Sequence, residues 1–439
     1  MTTKVLVPGF YTWANKGDAA LLTAFLPWLS THLGGADYVV TSFSPREDAA
    51  YFGQRFIDMP TRPWRRFHRA QELVANRLPG GRALLARARI AWFALLRRYL
   101  STWMRLFLRA PRTARLLVPG NVYRVAQEVD AADAVVAVPG GYLNAYRSTN
   151  DWWLFHLPTL WLASAAGKHP ILGPCSLGPF DGAHEHHARE VLAMARLVLA
   201  RERPTYDLAL SLGVDAARLV QTPDMAFAYE APSSPSAAAQ AVLDEVRAAA
   251  GGRPLVGISV REHNYPGHVD PAAMQQTYLA AVAEALGALQ ADHDAFVVIV
   301  PQTEEDARIG AELHDALRTL GVASRNVTAN LSPTDLQSVY AELRLLLGTR
   351  MHANILAMTV GTPVVAIAYE PKTTGILEAM GLDHWGIWID RVSGGALATL
   401  ADSQWREAPH NRVRAAEGAA AQRERLAAAG HRIADALDS

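Results

Sequence analysis

Short apolar segments, each followed by a helical pattern, recur along the 439-residue chain. The first covers residues 4–7, and later examples cover residues 255–260, 296–300 and 364–368. Apolar strands that alternate with helices are typical of parallel sheets covered on both faces. The pattern therefore predicts an α/β fold with doubly wound, Rossmann-like sheets.

A Pro- and Ser-rich stretch at residues 231–237 is the best candidate for a linker between two such sheets. We predict an N-terminal domain at 1–232, a linker with a first helix at 233–252, and a C-terminal domain at 253–439. The two domains are expected to face a cleft, with ligands beyond the carboxyl ends of the strands. The C-terminal stretch from Asn411 is expected to be helical, and its packing against the first domain stays open.

Charge and cysteine content limit the class of protein. The 42 basic and 42 acidic residues give a formal net charge of zero, and Cys175 is the single cysteine. One cysteine excludes an internal disulfide and a cysteine-based zinc site, which fits a reducing cytoplasm. The N-terminal apolar run is too short for a signal peptide, and we expect no membrane-spanning helix.

Arg350 and His352 follow a strand predicted at 343–347 and stand at the start of a helix predicted at 351–360. The free N–H groups of a helix start favour anions. Arg350 adds a bidentate fork for phosphate or carboxylate, and His352 can exchange a proton near pH 7. The same residues also fit a structural role, in which Arg350 pairs with an Asp and His352 caps the helix.

Arg261 directly follows the strand predicted at 255–260, so it would lie at the mouth of the cleft. A solvated charge at a strand end is the alternative. The first domain contributes two glycine-containing loops after strands, and neither is a dinucleotide fingerprint or a phosphate loop. Asp18 in the first loop also fits an N-cap. The candidate ligand-binding residues of these loops are Asn15, Lys16, Gly17, Asp18, Gly140, Gly141 and Asn144.

The His-Glu-His-His run at residues 184–187 has the composition of a metal cluster. We favour a solvated loop, because no matching carboxylate–His pair occupies helical spacing elsewhere. No metal site is predicted.

Taken together, these segments resemble the polysaccharide pyruvyl transferase family. Single pieces are weak, whereas the ordered set, which spans roughly residues 4–390, is specific. The matching segments are Asn15, Gly17 and Asp18 of the opening loop and residues 139–142, 173–180, 200–203, 222–227, 348–353, 361–365 and 369–372.

The resemblance implies a fold like the two-domain glycosyltransferases of the B type. It also implies transfer of the enolpyruvyl group of phosphoenolpyruvate to two hydroxyls of a sugar, with release of phosphate and no cofactor. The donor site falls on Arg261, Arg350 and His352, with Gly348, Thr349 and Lys372 as further donor-binding residues. The two loops of the first domain are then the expected acceptor side. The acceptor is a polysaccharide, a lipid-linked saccharide or a smaller metabolite. Whether the chain forms a homo-oligomer stays open.

Two other functions fit the same fold. A glycosyltransferase that uses a nucleotide sugar would need an acidic residue for the ribose hydroxyls, and Glu370 is placed for it. Lys372 and the Arg-x-His segment fit the pyruvyl signature better. The other alternative is a non-catalytic binding protein.

A basic helical insertion is predicted at residues 60–120, where residues 60–115 hold fourteen Arg, no Lys and one acid, Glu72. Such asymmetry suggests a polyanionic or membrane-surface partner.

We expect the helix of this insertion to pack on its own domain or a second subunit, because amphipathic helices more often pack in a protein core than on a membrane. Peripheral membrane contact through residues 82–110, on the inner face of the membrane, is the alternative. Nucleic acid binding is not expected. Leu85, Ala88, Trp92, Leu95, Tyr99, Trp103 and Leu106 form the predicted apolar face, with Arg87, Arg97, Arg98, Arg105 and Arg109 mainly opposite.

Overall fold

The computed structural model describes residues 2–10, 12–61, 81–145, 152–180, 182–230, 232–265 and 268–438. The strands are β1 (Thr3–Phe10), β2 (Ala36–Ser42), β3 (Arg55–Asp58), β4 (Ala134–Ala137), β5 (Gly140–Leu143), β6 (Ile171–Leu177), β7 (Leu197–Ala200), β8 (Leu219–Gln221), β9 (Leu255–Ser259), β10 (Phe296–Ile299), β11 (Ser324–Asn326), β12 (Leu345–Gly348), β13 (Val364–Ala368) and β14 (Gly386–Trp388).

Helices connect these strands throughout the described chain. They are α1 (Lys16–His32), α2 (Pro45–Phe52), α3 (Gly81–Arg109), α4 (Pro111–Ala114), α5 (Gly120–Ala131), α6 (Leu157–Ala165), α7 (Gly182–Met194), α8 (Arg203–Ser211), α9 (Ala237–Ala250), α10 (Pro271–His293), α11 (Glu304–Thr319), α12 (Pro333–Ala341), α13 (Met351–Thr359), α14 (Pro371–Ala379), α15 (Gly394–Arg406) and α16 (Ala408–Asp438). Within the residues the structure describes, we find no helix that combines the length and the apolar character needed to cross a membrane.

The chain divides into two compact units. Unit 1 comprises residues 1–13, 21–225 and 425–439, and unit 2 comprises residues 14–20 and 226–424. The division at 225/226 falls a few residues before the linker that composition predicts. Residues 14–20 group with unit 2, although the sequence suggested a continuous first domain.

Unit 1 contains a parallel sheet in the order β3-β2-β1-β4-β6-β7-β8, with β5 paired to β6. The apolar strands near its centre are buried on both faces, as Val135, Val198 and Leu199 illustrate with exposures of 2% or less. The sheet therefore has helices on both sides, as continuous apolar strands require.

Unit 2 contains a second parallel sheet in the order β11-β10-β9-β12-β13-β14. This is the doubly wound order, in which the strand order reverses between the first and fourth strands while all strands stay parallel. Here those strands are β9 and β12, and Ser259 pairs with Gly348 at their carboxyl ends. The crevice outside that point is where such sheets bind ligands.

Helix α3 lies within the predicted basic insertion and packs on its own unit. Phe93, Leu100, Trp103 and Met104 of this helix are 3% exposed or less and join the core of unit 1. The predicted apolar face was wrong in part, because Trp92, Leu95 and Tyr99 are exposed. Apolar residues cover more than half of the helix circumference, so their positions around the helix did not show which of them would be buried. The prediction for residues 62–80 lies outside the described residues.

The His-rich run at 184–187 is helical, so the solvated loop that we favoured is wrong. His184 and His187 lie in α7 and are each 1% exposed. The indole Nε1 of Trp153 donates to Nδ1 of His184 at 3.1 Å. His187 lies within hydrogen-bonding distance of the Ile90 carbonyl on α3, at 3.3 Å. These imidazoles have packing roles that fix α7 against its neighbours.

Candidate active site

The carboxyl ends of β9 and β12 carry the residues that the sequence singled out. Arg261 follows β9 by two residues, and Arg350 follows β12 by two residues. Because the two strands are adjacent and parallel, both side chains start from the same edge of the unit 2 sheet, at its topological switch point. The fold thus gathers cationic groups at its expected ligand site.

Arg350 is held by Asp306, which lies in the first turn of α11 and is fully buried. Nε of Arg350 donates to Oδ2 at 2.9 Å, and Nη2 donates to Oδ1 at 2.6 Å. Burial alone would lower the pKa of Arg350, but the hydrogen bonds and charge of Asp306 outweigh it and raise that pKa. The structural pairing considered from the sequence is therefore present. Within the described chain, Nη1 of Arg350 makes no hydrogen bond and remains as a donor.

The turn that delivers Arg350 is tightly packed. A Cβ on Gly348 would lie 1.9 Å from Oδ1 of Asn354, so only glycine fits beside that side chain. Asn354 donates to the Gly348 carbonyl at 2.9 Å. The Thr349 and Tyr278 hydroxyls share a 2.6 Å hydrogen bond in the core. Both predicted donor-binding residues, Gly348 and Thr349, thus shape the turn through packing.

Arg261 lies over the ring of Tyr369, with Cζ 4.0 Å from the ring centroid. Nε of Arg261 donates to the Glu262 carbonyl at 3.0 Å. Among the described residues Arg261 forms no ion pair, so its charge is not neutralised by a carboxylate. Lys372 lies near the same ring, 5.9 Å from its centroid, and pairs with Glu370 at 2.5 Å. Tyr369 therefore carries a cation–π contact from two of the predicted donor residues.

His352 is the second residue of α13 and is half-buried. Its ring lies directly against the backbone of Gly17, since a Cβ on Gly17 would lie 2.2 Å from Nδ1 of His352. Gly17 does not have a positive φ. The glycine is required by the close approach and not by backbone strain. Residues 14–20 form part of the opening loop and belong to unit 2, so this part of the loop lies beside His352.

Lys16 precedes that glycine and is 6% exposed. Its amine donates to Oδ1 of Asn330 at 2.6 Å, and its backbone N–H donates to the Gln302 carbonyl at 3.3 Å. Burial lowers the pKa of Lys16, and the charge of Asp335 offsets part of that shift. The Oδ1 of Asn15 accepts from the Gly17 N–H at 3.0 Å, which fixes the start of α1. Asp18 occupies the first turn of that helix.

The second predicted loop lies in unit 1. Gly140 has a φ of +137°, which favours glycine, and Asn144 donates to the Gly141 carbonyl at 2.6 Å. A Cβ on Gly141 would lie 3.2 Å from Nη2 of Arg201, which is buried and paired with Asp224 at 2.7 Å. The loop is thus backed by a buried ion pair.

Sequence reasoning missed Asp306, Tyr369 and Asn330 as members of this site. Asp306 follows two other acids at a helix start, where a solvated charge is the usual interpretation. Its one signal is its position in the first turn of the helix that follows a predicted strand of the donor sheet. No group of residues suited to a metal ion was found among the residues that the structure describes.

Comparisons with known proteins cover most of the chain. The model of the family described as polysaccharide pyruvyl transferase matches residues 15–371. The amylovoran biosynthesis protein AmsJ of Erwinia amylovora is 21% identical over 409 residues, covering 90% of each chain.

Solved structures agree on the fold. Anabaena HepE in complex with UDP and glucose is 16% identical, covers 99% of each chain and has a TM-score of 0.56. The S. aureus MnaA structure with UDP is 10% identical, covers 95% of this chain and 92% of its own, and has a TM-score of 0.55. These likenesses confirm the predicted fold class, two Rossmann-like domains of the B-type glycosyltransferase kind.

Proposed function

This chain belongs to the polysaccharide pyruvyl transferase family, and on that premise we propose that it transfers the enolpyruvyl group of phosphoenolpyruvate to a saccharide. The product is a pyruvate ketal, and phosphate is released. The observation that carries the proposal is the grouping of Arg261, Arg350 and His352 at one edge of the unit 2 sheet.

The donor has two anionic groups, a carboxylate and a phosphate. Arg261 is the principal ligand in this proposal, because its charge has no carboxylate partner among the described residues. Arg350 adds the donors of Nη1, while Asp306 fixes the guanidinium plane. Lys372, which pairs with Glu370, adds a second cationic group near the Tyr369 ring. Rigid donor forks favour one orientation of a planar anion.

His352 is the proposed general acid. It protonates the methylene carbon of the donor, and the C2 centre becomes oxocarbenium-like. A sugar hydroxyl adds to C2 and gives up its proton. A second hydroxyl then replaces phosphate at C2, which breaks the C2–O bond and closes the ring. General acid–base assistance of this kind contributes about 10²- to 10⁴-fold in rate.

The overall reaction balances without any other reactant. The methylene carbon gains one proton, two hydroxyls lose one proton each, and the second proton leaves with phosphate. Because no atom is oxidised or reduced, we propose that no redox cofactor takes part.

A saccharide acceptor follows from the family, and the role of AmsJ in amylovoran biosynthesis fits it. We propose that the acceptor contacts Asn15, Lys16, Gly17 and Asp18. The contact of Gly17 with His352 supports this, since the hydroxyl that attacks C2 must lie next to the methylene carbon that His352 protonates. The remaining proposed acceptor residues are Gly140, Gly141 and Asn144.

Thermal stabilisation of the protein by added ligand tests whether phosphoenolpyruvate is the donor. We expect phosphoenolpyruvate to raise the Tm of the full chain, and to do so less in Arg261→Ala. Ligand at about 100 times its Kd stabilises by about 2.7 kcal/mol, which is readily measured. Stabilisation by UDP-glucose and none by phosphoenolpyruvate would instead support a nucleotide-sugar glycosyltransferase.

A further inference from the structure

The exposed apolar residues of this protein are concentrated in one short stretch. Eleven large hydrophobic residues are exposed in the described chain, and seven of them lie between residues 84 and 117. Residues 82–117 also contain nine Arg and no Lys, Asp or Glu. Neither property is needed by the proposed chemistry, whose donor residues lie in unit 2.

One side of α3 and the turn beyond it present these residues together. We name this the arginine-flanked strip, formed by Leu84, Trp92, Leu95, Tyr99, Leu116 and Leu117. Their exposures run from 38% for Trp92 to 85% for Leu116. The Tyr99 hydroxyl donates to the Leu117 carbonyl, so the turn is tied to the helix. Contiguous apolar surface of this kind marks an interaction site.

Cationic side chains border the strip. Arg87, Arg98 and Arg105 are exposed and lie within one quarter turn of Leu84 and Leu95 on the helix. Arg112 and Arg115, beside Leu116, are exposed as well. Apolar and aromatic side chains edged by arginine are the composition of a helix that lies in a membrane interface.

The opposite side of α3 is fixed to unit 1, so the strip is presented on a rigid support. Phe93, Leu100 and Trp103 are buried, and Arg97 pairs with Glu190 of α7. A second copy of the chain is a poorer occupant. A two-fold interface would oppose the same arginines from both copies.

We propose that the arginine-flanked strip binds the surface of a bilayer that contains anionic phospholipids. The apolar side chains enter the headgroup region, and the arginines contact lipid phosphates. Each basic residue near such a surface contributes about 1 kcal/mol, or roughly fivefold in binding.

Vesicle flotation of the full chain tests this proposal without reference to activity. The vesicles contain either phosphatidylcholine alone or phosphatidylcholine with phosphatidylglycerol. We expect flotation with the anionic vesicles, weakened by salt. Removal of two arginines in Arg98→Gln/Arg105→Gln should lower binding about 25-fold, and Leu95→Ser/Leu116→Ser should lower it at least about tenfold.

Matched variants elsewhere control for general effects on charge and hydrophobicity. Leu320→Ser removes a residue with 61% exposure, close to the 64% of Leu95. Arg203→Gln/Arg318→Gln removes two arginine side chains that are 69% and 77% exposed. Both controls should float like the wild type. The proposal is overturned if the wild type does not float, or if the strip variants float as well as these controls. It is also overturned if the strip variants only dissociate an oligomer in lipid-free solution.

Discussion

Asp306 holds the guanidinium of Arg350 through hydrogen bonds to both carboxylate oxygens, the shortest being Nε to Oδ2 at 2.9 Å and Nη2 to Oδ1 at 2.6 Å. The pair turns a long, flexible side chain into an oriented donor at the end of β12. It also removes much of the positive charge that the sequence assigned to donor binding. Arg261 is consequently the cation on which the proposed site depends most.

Asp306→Asn tests the positioning role of that carboxylate. Loss of one partner of a buried pair leaves the other charge uncompensated, so we expect the free energy of unfolding to fall by about 3 kcal/mol. The KM for phosphoenolpyruvate should rise more than kcat falls. Denaturant unfolding and donor kinetics measure the two effects. Asp315→Asn, which breaks an exposed pair with Arg318, should cost at most about 1 kcal/mol. Equal stability of the two variants would contradict the role.

Arg261 and Arg253 flank opposite ends of β9 and each lies over an aromatic ring, so Arg253 is a suitable control for Arg261. Arg253 lies 4.8 Å from the Phe296 ring centroid, and Arg261 lies 4.0 Å from that of Tyr369. Arg261→Ala should raise the donor KM by about 10- to 100-fold, because charged hydrogen bonds contribute about 1.5–3 kcal/mol. Arg253→Ala should leave the donor KM unchanged. Steady-state kinetics with varied phosphoenolpyruvate gives both values, and an unchanged KM in Arg261→Ala would remove this residue from the site.

Gly17→Ala should displace the His352 ring. The added methyl group would lie 2.2 Å from Nδ1, whereas Cβ atoms do not approach that closely. A shift of about 1 Å in a reacting group costs about 10²-fold in rate, so we expect kcat to fall by that order. Gly120→Ala is the control, since Gly120, like Gly17, lies in the first turn of a helix and a Cβ there meets nothing within 4 Å. Similar kcat values for the two variants would show that the contact does not matter for turnover.

Much of this fold is readable from the sequence. The strand at 364–368 was predicted to the residue, because the Gly-Thr-Pro turn at 361–363 precedes the apolar run and Glu370 follows it closely. Strands β11 and β14 were missed, since each has three residues and β11 (Ser324–Asn326) is polar. Their placement depends on pairing with neighbouring strands rather than on local composition.

The candidate site was only partly readable. Arg261, Arg350 and His352 stood out because each follows a predicted strand. The pairing of Arg350 with Asp306 and the contact of His352 with Gly17 join segments far apart in the sequence. No local pattern encodes such contacts, so they emerge only when the sheet brings the segments together.

His156 makes the folding stability of unit 1 depend on pH. The side chain is 6% exposed, and burial lowers its pKa from 6.5 to about 4. Between these values the unfolded chain binds a proton that the folded chain does not, so stability falls as pH falls from 6.5 to about 4. At 1.36 kcal/mol per pH unit, the loss is about 3 kcal/mol.

His156→Phe should remove that part of the pH dependence. We expect its free energy of unfolding to change less than that of the wild type between pH 7 and pH 4, as measured by denaturant titration at each pH. His186→Gln is the control, because the His186 side chain is 71% exposed. A wild-type pH dependence in His156→Phe would assign the titration to other groups.

The central claim is that phosphate leaves by cleavage of the C2–O bond while pyruvate remains on the acceptor. Phosphoenolpyruvate labelled with oxygen-18 in the bridging C2–O–P position tests it directly. The full chain is incubated with this donor and with a glycan or lipid extract from cells that naturally produce the protein. The His352→Gln variant is the inactive control. We predict oxygen-18 in the released phosphate and one pyruvate gained by an acceptor saccharide, both by mass spectrometry. Unlabelled phosphate, or labelled phosphate without a pyruvate adduct, would contradict the account.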